Sequence, residues 1–431
     1  MPPLVHDDVT VTLDELFANN KVADLVPTYS PAWKRISAGS SKNINAKGAF
    51  YMLRTKGPNF IKSKAFGNTP GAAFPEATKS KYMVMSLTAI EDTATISWDG
   101  NVDVQNKSAL KQKPAKELDY VEMEMSSIYE AYGRDKSRQL WGNRDNELAR
   151  VSGTDTVNHL ITFNNAGNLF DAQLLEEGDL LEIRDGAGVL RCYVEVLVLM
   201  RGSKQIKVNP DNIRNTAGAL IAAIPGSVVN NDRVYPKDGY NNGWAGYEYL
   251  IDNQGGFQSL NDRTIHDHLV GEKFDATNRT LSSALLRRLL SGQRFRRYGQ
   301  KAKGKFYAST QIDAFESTGL ATQRYGQTKK LEMGYEDDDL KFGGKSFEWD
   351  FYVKRNVINH ADLDAIDKFE LRDFMPVRHE GGYKFQVPTE GSHYDRTNIY
   401  FKGIGNLGCE VPAAVGGQLY NLSTSGLATG S

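Results

Sequence analysis

Cysteine is nearly absent: the 431 residues hold only Cys192 and Cys409. Two cysteines make neither a disulfide framework nor a cysteine-based zinc site, which fits a compartment where disulfides are not used. A surplus of either charge is missing as well. Lys and Arg number 52 against 53 Asp and Glu, a formal net charge of −1. That balance excludes a dedicated polybasic nucleic-acid binder and an acidic disordered chain. The most apolar stretches, 192–200 and 217–224, fall far short of the roughly 18–20 residues of a bilayer span. The start, Met1-Pro2-Pro3-Leu4-Val5-His6-Asp7-Asp8, has no basic n-region and no apolar h-region. A soluble protein without a secretory signal and without a membrane partner is expected. No phosphate-cradling Gly-rich loop ending in Gly-Lys-Ser/Thr occurs, and no Gly-x-Ser-x-Gly elbow.

What is present is 40% hydrophobic residues, 10% aromatics and 40 glycines, at a mean hydropathy of −0.48. This suits strands, loops and extended arms around modest cores. Residues 1–48 read as an arm with one short helix, opened by the capping box Thr12-Leu13-Asp14-Glu15 with Leu13, Leu16 and Phe17 at helical spacing. Two strands are expected over 81–90 and 93–104, joined into a hairpin by a turn at Glu91-Asp92. In the second, Ala94, Ile96, Trp98, Val102 and Val104 alternate as a half-buried strand requires. Such a hairpin cannot stand alone and must lie on something else.

The clearest helix runs from Ala115 to about Trp141, after Pro114. Leu118, Val121, Met125, Ile128 and Tyr132 make one apolar stripe, with acids early and Arg134, Lys136 and Arg138 late, as the helix dipole favours. A stripe this narrow predicts a spine packed on one side only. Residues 151–229 read as a small antiparallel β module, with strands at 178–184, 189–200, 205–208 and 217–224. Beyond Asn230 come helices from about Leu281 to Leu290 and over 311–320. Strands are expected at 305–309, 339–342, 345–353, 383–387 and 397–403, and a closing run at 407–422. The class is α+β.

Chemistry-bearing clusters are few. His266-Asp267-His268 would put two imidazoles on one face of a strand, but no third ligand stands at a diagnostic spacing. The acids of Glu336-Asp337-Asp338-Asp339 lack the turn glycine of a calcium loop and read as a solvated turn. No catalytic, cofactor-binding or metal residues are assigned. The stronger signal is basic: Arg287, Arg288, Arg294, Arg296, Arg297, Lys301, Lys303 and Lys305, with Phe295 and Tyr298 interleaved and no acid among them. Such a run can hold phosphates without sequence choice, solvate a helix end, or face the acids of a neighbouring subunit.

The order of arm, long loop, one-sided spine and interrupted α+β body resembles the major capsid proteins of tailed double-stranded DNA bacteriophages, the Hong Kong 97-type fold. Phe66-Gly67-Asn68-Thr69-Pro70-Gly71-Ala72-Ala73-Phe74-Pro75-Glu76 looks like the text of small residues, Gly, Pro and Glu that opens the family's extended E-loop. Lys303-Gly304-Lys305-Phe306-Tyr307 and Gly343-Gly344-Lys345-Ser346-Phe347 are similar to two of its strands, and the run from Ile404 to Leu422 to its closing strands. The resemblance implies an N-terminal arm (1–48), an E-loop lying over a neighbouring subunit (49–113) and the spine of a peripheral P domain (114–150). An inserted β module (151–229), an axial A domain with the remaining P-domain strands (230–422) and a tail (423–431) would follow.

By the same resemblance the chain would self-assemble into hexamers and pentamers of an icosahedral head shell around packaged double-stranded DNA. It would be built in the bacterial host cytoplasm and would meet a portal protein and separate scaffolding and decoration (cement) proteins. Phe74, Glu76, Ile96 and Trp98 would be E-loop contacts between subunits, and the basic cluster would face the interior or a neighbour. The arm starts close to Met1, so scaffolding is expected as a separate protein or not at all. Two other classes stay open. One is a carbohydrate hydrolase with paired carboxylates beside Trp98-Asp99 or Trp349-Asp350; the other is a non-specific DNA-binding protein using 287–305.

Overall fold

The computed structural model describes residues 30–36, 44–45, 48–56, 81–99, 115–164, 175–200, 202–264, 266–297, 299, 303–315, 341–378, 385–387 and 396–424. The 12–17 capping box, Phe74, Glu76, the 336–339 acids, Tyr298 and Lys301 lie outside the described residues.

The chain enters through α1 (Pro31–Arg35), started by Ser30, whose Oγ accepts from the Trp33 amide at 3.2 Å. β1 (Ile44–Asn45), β2 (Gly48–Lys56) and β3 (Lys81–Thr88) form an antiparallel ribbon in that order. β4 (Ile90–Asp99) follows β3 with only Ala89 between them, but the two do not pair. The expected hairpin turn at Glu91-Asp92 is therefore corrected. β3 pairs with β2, from Gly48 opposite Thr88 to Lys56 opposite Lys81, while Glu91 and Asp92 sit inside β4 opposite Ile404 and Gly403 of a much later strand.

α2 (Ala115–Trp141) matches the helix read from the sequence over all 27 residues. Met125 and Tyr129 pack on Phe374, Ile399 and Phe401, and Tyr132 stacks on Phe374 with ring centroids 4.1 Å apart. The one-sided spine ends near Tyr132. Farther on, Lys136, Ser137, Gln139, Leu140 and Trp141 are all buried. Polar residues tolerate that burial because they are hydrogen-bonded, Ser137 Oγ to the Gly133 carbonyl at 2.8 Å and Lys136 and Gln139 as described below.

Next comes a closed six-stranded barrel: β5 (Ala149–Asp155), β6 (Leu160–Phe163), β7 (Leu180–Arg184), β8 (Leu190–Met200), β9 (Gln205–Val208) and β10 (Arg233–Pro236), in the order β10-β5-β6-β9-β8-β7. Alternate residues, among them Val151, Ile161, Ile183, Cys192, Val194 and Ile206, fill it. The expected strand at 217–224 is not one. The Asn215 side chain accepts from the Ala217 and Ala219 amides, Gly218 turns at φ 81°, and only Leu220 makes an isolated bridge, to Arg214. Asn215 thus gives these amides a local partner that competes with a ladder.

The rest comprises α3 (Tyr247–Leu250), β11 (Glu272–Arg279), α4 (Ser283–Arg296), β12 (Lys305–Ala308), β13 (Lys341–Phe342), β14 (Lys345–Trp349), β15 (Ile358–Ala361), β16 (Asp367–Pro376), β17 (Phe385–Val387), β18 (Arg396–Gly408), α5 (Pro412–Val415) and β19 (Gly416–Leu422). β11-β19-β15-β12-β14-β13 is one mixed sheet, parallel at β11/β19 and β12/β14. β18 is the centre of another, with β4 on one edge and β16 and β17 on the other. The architecture is α+β, as expected. Along β12 the sides alternate. Phe306 and Ala308 join Leu285, Leu286 and Leu289 of α4 in one core, while Tyr307 packs on Trp141, 5.1 Å between ring centroids, in the core that also holds Tyr247, Phe257 and Leu269. The mixed sheet therefore has α4 on one face and the 244–270 segment on the other.

Candidate functional site

Among the described residues no group of three or more His, Cys, Asp or Glu side chains is placed to hold a metal ion. Asp267 lies in a 3-10 turn that His266 caps, so the His266-Asp267-His268 text is not a strand. What stands out are surfaces without a partner and the polar joints that hold them in place.

The β2–β3 ribbon is the first surface. The pairs Ala49/Leu87 and Tyr51/Met85 are buried at its root, so with a period of two the next pair, Met52 opposite Val84, points the other way. Met52 is 64% and Val84 56% exposed. Sequence reading missed this pair, because Ala49-Phe50-Tyr51-Met52-Leu53 is apolar throughout and no alternation marks which side faces out. Ile96 and Trp98 belong instead to β4, in register with Ile399 and Thr397, so their strand is part of the β18 sheet and not of the ribbon.

Three buried joints tie the N-terminal segment, β4, the spine and the body together. Asp350 is fully buried and accepts from Ser30 Oγ at 2.6 Å, Trp141 Nε1 at 3.0 Å and the Tyr352 amide at 2.9 Å. Burial pushes its carboxyl up, and the three donors oppose that. The 30–36 segment is thereby anchored, with Trp33 against Trp244 and Arg35 Nη1 2.7 Å from Glu348. Lys136, fully buried, donates to Asp92 Oδ1 at 2.6 Å and to Gln139 at 3.3 Å, and lies over the Trp244 ring at 4.6 Å. Asp92 Oδ2 takes Trp244 Nε1 at 3.1 Å, so spine, β4 and the 244 loop share one network. Burial raises the Asp92 carboxyl, with Lys136 pulling the other way. Glu248 binds Lys354 and, at 3.3 Å, Lys273. Burial alone would raise its carboxyl, but the two cations hold it below the usual range.

A fourth device shapes a loop. Arg263 is 1% exposed and donates to four carbonyls, of Leu250, Asp252, Tyr249 and Gly256, at 2.9–3.2 Å. Burial lowers the pKa of its guanidinium.

The basic run is brought together at the end of α4 and the strand that follows. Arg287, Arg288 and Arg294 are on the exposed face, and Arg296 and Arg297 are half-buried at the C-terminus. Arg296 Nε pairs with Glu272 at 2.7 Å and Lys305 with Glu348 at 3.2 Å, while Arg288 sits 3.8 Å over the Phe274 ring. Gly304, at φ 98°, turns the chain into β12; a Cβ there would stand 2.0 Å from the Ala361 carbonyl, so only glycine fits. Lys303 is exposed beside it. Among these cations lies Phe295, 86% exposed.

No protein-family model matches the sequence, and the search of curated proteins finds no match either. Solved structures do match. The capsid asymmetric unit of Cyanophage A-1(L) superposes with a TM-score of 0.51 at 9% identity, covering 92% of this chain and 94% of that one. A Mycobacterium phage Patience structure gives 0.42 at 10% identity over 96% and 89%, and the capsid of a native GTA particle 0.42 at 9% over 91% and 90%. At such identities the likeness is one of fold, and it runs through nearly the whole chain: this protein has the Hong Kong 97-type fold of phage major capsid proteins.

Proposed function

We propose that the chain is the structural subunit of an icosahedral phage head shell. The observation that carries this reading is the end-to-end likeness to the Cyanophage A-1(L) capsid subunit. The exposed Met52/Val84 pair on the ribbon supports it. An extended ribbon with an apolar outer pair cannot cover itself and gains by lying across another copy; burying each side chain contributes about 1.5–3 kcal/mol. Many such modest contacts, closed by symmetry, make the shell far tighter than any pair of subunits.

In this reading residues 49–113 are the E-loop, 114–150 the P-domain spine, 151–229 the inserted module and 230–422 the A domain with the remaining P-domain strands. Hexamers and pentamers form in the host cytoplasm, and the finished protein resides in the virion. A portal protein, scaffolding and cement proteins and packaged DNA are its expected partners. A hydrolase reading has no support at Trp349-Asp350, because Asp350 is enclosed by three donors of its own chain.

Electron microscopy of the expressed protein tests the proposal. Closed shells or five- and six-membered capsomers are expected. Val84→Asp should keep the fold and weaken assembly. A compact monomer under all conditions, with scaffold included, would overturn the reading.

A further inference from the structure

Charge of the two signs is segregated along the A-domain segment. From Ala276 to Ile312 the sequence has nine Lys and Arg and no acid; from Asp238 to Glu272 it has six Asp and Glu and one cation, Arg263. Arg263 adds no surface charge, since its guanidinium is enclosed by four carbonyls. Within the acidic segment Glu248 and Glu272 are neutralised by Lys354, Lys273 and Arg296. Asp252 lies 3.6 Å from Lys273, and Asp238, Asp262 and Asp267 remain exposed.

The two poles sit on opposite faces of the mixed sheet. α4 packs its Leu285, Leu286 and Leu289 against one face. Its outer side then carries Arg287, Arg288, Arg294 and Phe295, which at 3.6 residues per turn share one stripe. The loop with Asp262 and Asp267 is anchored through Phe257 and Leu269 on the opposite face. A large exposed aromatic among arginines is the composition of a protein-binding hot spot, and a basic face opposite an acidic one is what a head-to-tail contact needs.

Resting on the capsid reading above, we infer that the α4 face of one copy docks against the Asp262/Asp267 loop of the next copy around a capsomer ring. The occupant is a second copy of this chain, chosen by charge complementarity. The same contact repeated head to tail closes a ring, whereas a two-fold contact would set like charges together. Phe295 supplies the apolar anchor, and the arginines steer and orient it. This assigns the basic run to the neighbouring subunit and not to DNA.

The test is a charge swap in the full chain, read by sedimentation velocity and electron microscopy. R287E/R288E/R294E and, separately, D262K/D267K should each raise the concentration needed for capsomer formation by roughly tenfold or more. The two sets combined should restore assembly towards the wild-type level. Phe295→Ser, which leaves charge alone, should weaken assembly without lowering the melting temperature, since the ring touches solvent in the single chain. Raised salt should mimic the single-face variants.

Wild-type-like assembly of R287E/R288E/R294E with reduced DNA content would overturn the inference and give the face to DNA. A combined variant no better than its parents would also overturn it. A wild-type chain that forms no capsomers or shells would instead count against the capsid reading, so the two failures are distinguishable.

Discussion

Replacing Glu248 by Gln should be among the most destabilising single-atom-scale changes available in this protein. Glu248 lies in the first turn of α3 with its side chain 8% exposed; Lys354 at 6% and Lys273 at 15% converge on it. Gln keeps the shape and removes the charge. Lys354 is then left in a buried site without its carboxylate, a situation that costs about 3–5 kcal/mol.

The pH dependence gives a second handle. The folded carboxyl lies below its ordinary value of 4.5, because the two cations outweigh burial. A depressed folded pKa means stabilisation that is present above the unfolded value and lost as pH falls through the folded one. Wild type should therefore lose stability below about pH 5, while E248Q should be flatter there and should converge with wild type in acid. Urea unfolding of dissociated subunits, followed by the fluorescence of buried Trp141 and Trp244, measures both. E248Q/K354M, which removes both charges, should recover most of the loss, since an apolar pair of similar volume fits such a site. A neutral-pH difference under about 1 kcal/mol, or a gap undiminished at pH 3, would refute the reasoning.

Three further outcomes are expected. Asp350→Ala orphans the Ser30 hydroxyl, the Trp141 indole N–H and the Tyr352 amide. It should cost about 3 kcal/mol and open the 30–36 segment to trypsin after Arg35, as mass spectrometry of the fragments will read. Arg263→Met strips four carbonyls of their donor and should lower stability by about 3–5 kcal/mol, whereas Arg263→Lys, lacking the planar fork, should fall between it and wild type in the same urea assay. Cys192 is pushed up to about 12 by burial, and Cys409 higher still by burial and the nearby Asp367. Both thiols should stay unreactive to a disulfide reagent at pH 8 and react together on unfolding.

The helix at 115–141 was legible because its stripe repeats at three and four, yet its last two turns were misread. Lys136 looks like a dipole-compensating surface cation in sequence, and its burial depends on Asp92 and Trp244, which no local pattern connects to it. The same distance hides β4. Glu91-Asp92 reads as a turn between two alternating runs, whereas Asp92 sits mid-strand opposite Gly403. β16 was missed for another reason. Its register shifts between Glu370 and Arg372 and again before Met375, so buried Phe369 and Phe374 fall five apart, which breaks the period of two. The basic run was legible as a run; its opposite pole was not, because Asp262 and Asp267 are ordinary loop acids until Arg263 is seen to contribute no surface charge.

The residues least visible in the sequence share a position in the fold. Ser30 and Asp350 are 320 residues apart, Trp141 and Asp350 209, Asp92 and Trp244 152, and Glu248 and Lys354 106. Each pair ties elements whose apolar packing alone would tolerate sliding, since hydrophobic contact is non-directional. Hydrogen bonds to buried charges are directional, and leaving one partner unmatched is costly, so such joints penalise a shifted arrangement more than they reward the correct one. Under the proposed capsid function, that asymmetry would suit a subunit whose contacts with its neighbours depend on where the ribbon and the α4 face point. It also explains why truncating a joint residue should affect assembly even when the contact surfaces are untouched: Lys136→Met should leave Met52, Val84 and Phe295 in place, loosen β4 from the spine, and produce misassembled particles by electron microscopy at concentrations where wild type closes.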